Sequence, residues 1–111
     1  MRFKLSRTAG ALGLATLVAA TACYAATTTV IDQVRQRFSL STLSILSGDK
    51  VQFINHDDVR HNIHLYGSDD SDVDRGLQDP GQMIDVTFDR YGLFTVRCSI
   101  HQKMKMRIEV R

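Results

Sequence analysis

From Thr28 onward, apolar and polar residues alternate at every second position in short bursts. In Met83-Ile84-Asp85-Val86-Thr87-Phe88, residues Ile84, Val86 and Phe88 share one face and Asp85 and Thr87 the other, the period of a strand with one side in a core. Phe94, Val96 and Cys98 repeat the pattern, as do Ile108 and Val110 against Arg107, Glu109 and Arg111. Thr28–Val34, Thr42–Leu46, Val51–Asn55 and His61–Leu65 read as further strands, bounded by Ser47-Gly48-Asp49, Asp57-Asp58 and Tyr66-Gly67 turn signals. Beyond residue 26 no segment places its apolar residues at helical spacing. Several short strands at this interval predict an all-β domain, a sandwich or a small barrel. Residues 67–82, GSDDSDVDRGLQDPGQ, break the rhythm and read as a long solvated loop. Its aspartates could dock a basic partner or hold a hard cation, but there is no twelve-residue calcium loop ending in Glu.

The beginning of the chain follows a different rule. Arg2, Lys4 and Arg7 precede a small-residue apolar run from Ala9 to Ala22, and Cys23-Tyr24-Ala25-Ala26 then offers small residues to a signal peptidase. Residues 1–25 are therefore expected to be a signal peptide that exports the protein to the periplasm, with a single domain at 26–111. The apolar run is shorter than the roughly 20 residues of a spanning helix, so no stable membrane span is expected after cleavage. Lipid attachment at Cys23 is the alternative, weakened because Ala20-Thr21-Ala22 lacks the leucine that usually precedes a lipidated cysteine.

Losing the leader changes the charge and cysteine arithmetic. The 14 basic residues fall to 11 when Arg2, Lys4 and Arg7 leave, against 12 acidic residues, a balance near −1. A near-neutral domain lacks the concentrated basic surface by which proteins bind nucleic acid. Cys98 becomes the one remaining thiol, unable to form an intramolecular disulfide although sent to an oxidising compartment.

Strand parity states which functional side chains point inward together. Cys98 lies on the face of Phe94 and Val96, and His61 on that of Ile63 and Leu65; Asn62 and His64 project the other way. His56 falls in a turn and reads as exposed. Singly, an inward cysteine or histidine is an ordinary core residue. The cluster is more informative, because "CSIHQKMKM" (98–106) puts His101 just past Cys98 and follows it with Met104 and Met106. A tight turn there can present thiol, imidazole and one thioether to a point that His61 reaches from a neighbouring strand. Hard cations prefer oxygen, and zinc seldom takes a thioether. Copper suits the mixture, since two imidazoles, a thiolate and a weak axial methionine form the blue-copper electron-transfer set.

These residues carry a resemblance. GDKVQFINHDDVRHNIHL around His61 and FDRYGLFTVRCSIHQKMKMRIEV around the other donors resemble the cupredoxins, of the plastocyanin and amicyanin kind, over essentially the whole of 26–111. The resemblance implies a Greek-key β-sandwich of the cupredoxin type, with one type 1 copper held by His61, Cys98 and His101. It also implies that Asn62 ties the two ligand-bearing segments together. Cys-x2-His-x2-Met is the amicyanin spacing and selects Met104 as axial ligand, whereas the plastocyanin spacing would select Met106. Because Met106, Ile108 and Val110 form one inward stripe, Met106 is assigned to the core and Met104 to the metal. Ile100 and Arg60 stand where the family commonly has prolines.

The function so implied is a monomeric periplasmic carrier that shuttles single electrons between a protein donor and a protein acceptor, with His101 as the exit. With all four copper positions filled by the protein, no open position is left for a substrate, so no enzyme activity is expected. The alternative is a periplasmic copper carrier or storage protein that uses the same ligands without redox turnover.

Overall fold

The computed structural model describes residues 2, 4, 10–20 and 24–111. Thr21, Ala22 and Cys23 lie outside the described residues, as does Arg7, so the lipid-attachment alternative and part of the leader do too. Among the described residues, no helix is long and apolar enough to cross a membrane.

Nine strands follow one another: β1 (Thr28–Val34), β2 (Arg37–Phe38), β3 (Thr42–Ile45), β4 (Asp49–Asn55), β5 (His61–Gly67), β6 (Asp72–Gln78), β7 (Met83–Phe88), β8 (Gly92–Arg97) and β9 (Lys105–Val110). They form two sheets, ordered β2-β1-β4-β7 and β3-β9-β8-β5-β6. The chain passes repeatedly from one sheet to the other, and the pairs β1/β4 and β3/β9 are parallel whereas the remaining pairs are antiparallel. The alternating strands bury their apolar sides against each other: Ile31, Val51, Phe53, Val86 and Phe88 from one sheet meet Ile63, Leu65, Phe94, Val96, Met106 and Ile108 from the other. Two edge-to-face aromatic pairs, Phe38–Phe53 and Phe88–Phe94, lie in or against this core. The all-β sandwich expected from periodicity is the observed architecture.

The expected solvated loop at 67–82 is corrected. Its middle is β6, which runs antiparallel to β5 at the edge of the larger sheet. An edge strand with five of its seven residues exposed has no apolar buried face to impose alternation, so its sequence resembles a loop although its backbone is paired. Its aspartates are partners of β5: Asp72 accepts from the His64 ring and Asp74 from the Asn62 amide.

The short strand β2 also escapes sequence reading. It forms a hairpin with β1 through Arg35 and Gln36, both at positive φ (52° and 56°), where Gly or Asn would normally announce the turn. The left-handed conformation costs about 1–2 kcal/mol per residue. Asp57 offsets this by accepting the backbone N–H groups of Arg35 at 2.6 Å and Gln36 at 2.9 Å.

Candidate metal centre

One end of the sandwich gathers its polar chemistry. His61 opens β5 and turns its ring inward on the same side as Ile63 and Leu65; it is fully buried. Cys98 follows the last residue of β8, with 1% of its surface exposed. The chain then turns tightly, closed by Met104 N–H donating to His101 O at 2.9 Å and Cys98 N–H to Met104 O at 3.2 Å. That turn brings His101 back over Cys98 before β9 begins.

The donors converge. His61 Nδ1 and His101 Nδ1 are 3.1 Å apart, and the Cys98 sulfur lies 3.9 Å from the first and 3.8 Å from the second. These are the separations of three atoms sharing one first-row ion at about 2.0–2.1 Å for nitrogen and about 2.3 Å for sulfur. Among the described residues, His61, Cys98 and His101 are the group of His, Cys and acidic side chains whose donor atoms come close enough to hold a metal.

Met104 is buried, at 1% exposure, yet it lies outside the hydrophobic core cluster. Met106 belongs to that cluster and pairs with Val96 across β8 and β9. The two methionines share a parity but occupy different places: one in the turn after His101, the other inside the sandwich.

Around the donors the packing is specific. Asn62 accepts the backbone N–H of Ser99 at 3.0 Å, its own backbone N–H points at the Cys98 sulfur at 3.4 Å, and its amide donates to Asp74 at 2.7 Å. It thus joins the His61 and Cys98 segments, as the resemblance implied. Although it projects away from the face of His61, it is only 3% exposed, because β6 covers it.

Sequence reading missed Asp57. Its carboxylate lies 2.6 Å from His61 Nε2, and it accepts the two hairpin N–H groups as well. Burial alone would raise its pKa, but hydrogen bonds from Gln36, His61 and Arg35 hold the carboxyl below the usual value. Ionised, it accepts a hydrogen bond from the Nε2–H of His61, the tautomer that leaves Nδ1 with its lone pair toward Cys98 and His101. The signal available was an aspartate four residues before the histidine, which in sequence reads only as a turn former. Behind it, Asn55 accepts the Asp57 N–H at 2.9 Å and donates to the carbonyls of Val59 and Gln78. Gln33 donates in turn to Gln78 at 2.8 Å.

The other histidines stay apart. His64 stacks on Tyr66 with centroids 4.4 Å apart, and exposed His56 pairs with Asp32 at 3.1 Å. Arg60 faces solvent and pairs with Asp79; Ile100 is 49% exposed beside His101.

Comparison with known proteins agrees with this geometry. Residues 25–111 match the family model of copper binding proteins of the plastocyanin/azurin family. Methylamine utilization protein MauL of Methylorubrum extorquens is 33% identical over 63 residues, covering 57% of this chain and 55% of the relative; the chain thus spans about half the length of that curated relative. Among solved structures, a Cu(I) amicyanin variant superposes with a TM-score of 0.68 at 21% identity, covering 74% of this chain and 80% of the other. A second reduced amicyanin variant gives 0.69 at 22%, covering 81% and 86%. The fold is that of amicyanin, and a buried thiol between two imidazoles fits a type 1 copper. With the family match spanning the whole sandwich, this chain belongs to the plastocyanin/azurin family of copper-binding proteins.

Proposed function

We propose that this protein is an exported blue copper protein that passes single electrons between redox proteins, with copper held by His61, Cys98 and His101 and with Met104 as its weak axial ligand. The observation that carries the reading is the Cys98 sulfur within 3.8 and 3.9 Å of two converging imidazole nitrogens. When bound, copper supplies a one-electron Cu(I)/Cu(II) couple. The residues of the chain do the rest. Two neighbouring strands of one sheet and a turn closed by backbone hydrogen bonds hold the donors, so that a change of charge calls for little movement. Burial of Cys98 and His61 keeps water from the sulfur, and the Asn62 N–H supports negative charge on it. Asp57 fixes the ring and proton of His61. His101, only half-buried, offers its edge as the route to a partner.

Residues 1–25 are proposed as the export leader and 26–111 as a monomeric mature domain; the mass of the secreted protein tests the cleavage site. The central experiment adds Cu(II) to the purified protein and records its visible and electron-spin spectra. Intense thiolate-to-copper absorption, bleached by reductant and absent in Cys98→Ser, is expected. A colourless protein with full copper occupancy would overturn the reading. Together with ready exchange of Cu(I) to chelators, that outcome would favour a copper carrier instead.

A further inference from the structure

The cleft beside His101 carries a charge pattern for which the metal centre has no use. It encloses about 570 Å³ between the Arg35–Phe38 hairpin on one side and the Gln102–Lys105 segment on the other. Arg35, Arg37, Lys103 and Lys105 line it, and all four are exposed. No carboxylate residue lines it. Among the described residues, none of these four side chains is in an ion pair, whereas Lys50, Arg60 and Arg90 pair with Asp85, Asp79 and Asp69.

The cleft also has apolar surface. Half-buried Phe38 and Leu40, the latter 43% exposed, contribute to its wall, and exposed Ile100 precedes His101. Four unpaired like charges repel one another and create a positive potential at this mouth, although residues 26–111 as a whole carry 11 basic and 12 acidic residues. Such a surface gains from an opposite charge brought to it, and its apolar residues gain from being covered.

We propose that this cleft is the docking surface for an acidic protein redox partner. Carboxylates of the partner meet Arg35, Arg37, Lys103 and Lys105, and its apolar side chains cover Leu40 and Ile100, which places its surface against the edge of His101. What the partner does rests on the electron-carrier reading; whether the surface binds does not. A protein fits better than a nucleic acid, because the cleft offers no aromatic platform for successive bases beyond half-buried Phe38. It fits better than a small anion, which would leave the apolar wall uncovered.

A deca-glutamate peptide, titrated into isotopically labelled protein in both the metal-free and the diamagnetic Cu(I) forms, tests the proposal by amide shifts. Shifts are expected in 35–41 and 102–105 at about 20 mM salt and should fade toward about 300 mM as screening shortens. The double variant Arg37→Glu/Lys105→Glu should weaken binding by about tenfold, and Arg37→Gln/Lys105→Gln by less, while Arg75→Glu at the β6 edge stays within about twofold. Shifts on another face, insensitivity to salt, or charge reversals without effect would overturn the proposal. So would tighter binding to phosphatidylglycerol vesicles or single-stranded DNA at equal salt. A colourless protein that still binds the peptide here refutes only the electron-carrier reading; a blue protein that ignores the peptide refutes only the docking surface.

Discussion

The Asp57 carboxylate stands 2.6 Å from Nε2 of the fully buried His61. The same carboxylate closes the β1–β2 hairpin through Arg35 and Gln36, so one side chain sets both a proposed ligand's orientation and a wall of the adjacent cleft. Replacing it with Asn preserves the shape but removes a negative charge close to the metal. Asp57→Asn should therefore raise the reduction potential, since the less positive Cu(I) state is favoured, and weaken Cu(II) binding by about 10–100-fold. Voltammetry and competition with a Cu(II) chelator read the two effects; a lower potential would contradict the role.

The two methionines should respond in opposite ways. Met104→Leu is expected to alter the visible spectrum and the potential while changing stability by less than about 1.5 kcal/mol, as a volume-conserving swap does. Met106→Ala should leave the spectrum nearly intact but cost about 2–5 kcal/mol, because it opens a cavity in the core cluster that both sheets share. Spectra together with urea denaturation separate the outcomes. A spectrum disturbed by Met106→Leu and untouched by Met104→Leu would reassign the axial ligand.

Acid sensitivity has an identifiable source away from the metal. Asp49 accepts the backbone N–H groups of Thr27 at 2.9 Å and Leu46 at 3.0 Å, and these bonds, against a smaller opposing effect of burial, hold its carboxyl below the usual 3.8. A depressed folded-state pKa means that its stabilisation is present above about pH 3.8 and is lost as the pH falls through the folded value. In metal-free protein, the stability gap between the wild type and Asp49→Asn should accordingly shrink on acidification below pH 4. A gap that widens in acid would refute this assignment.

Phe53 is fully buried at the centre of β4 and packs edge-to-face on Phe38 at 6.0 Å. Phe53→Ala should cost about 3–5 kcal/mol, measured as a fall in the denaturant midpoint with an unchanged slope. A cost below about 1 kcal/mol would mean that the two sheets collapse around the gap, contrary to the tight packing of protein interiors.

Much of this protein is legible in one dimension, for a physical reason. A strand with one buried face must alternate, so β1 and β7 are found at their observed bounds, and the inward placement of His61 and Cys98 follows from parity alone. The chemical set of one thiol, two imidazoles and a nearby thioether is likewise a property of composition and spacing, and it points to copper before any fold is known. The stripe of Met106, Ile108 and Val110 also marks Met106 as core from the sequence, and Met106 does lie in the core cluster while Met104 lies outside it. Alternation could not find β6, whose exposed edge imposes none, or β2, whose turn is held by an aspartate more than twenty positions away. Asp57 on His61, and four cations collected at the mouth beside His101 from two distant segments, exist only once the sandwich closes. Each joins residues that the chain keeps apart and that only tertiary packing brings into hydrogen-bonding or electrostatic range.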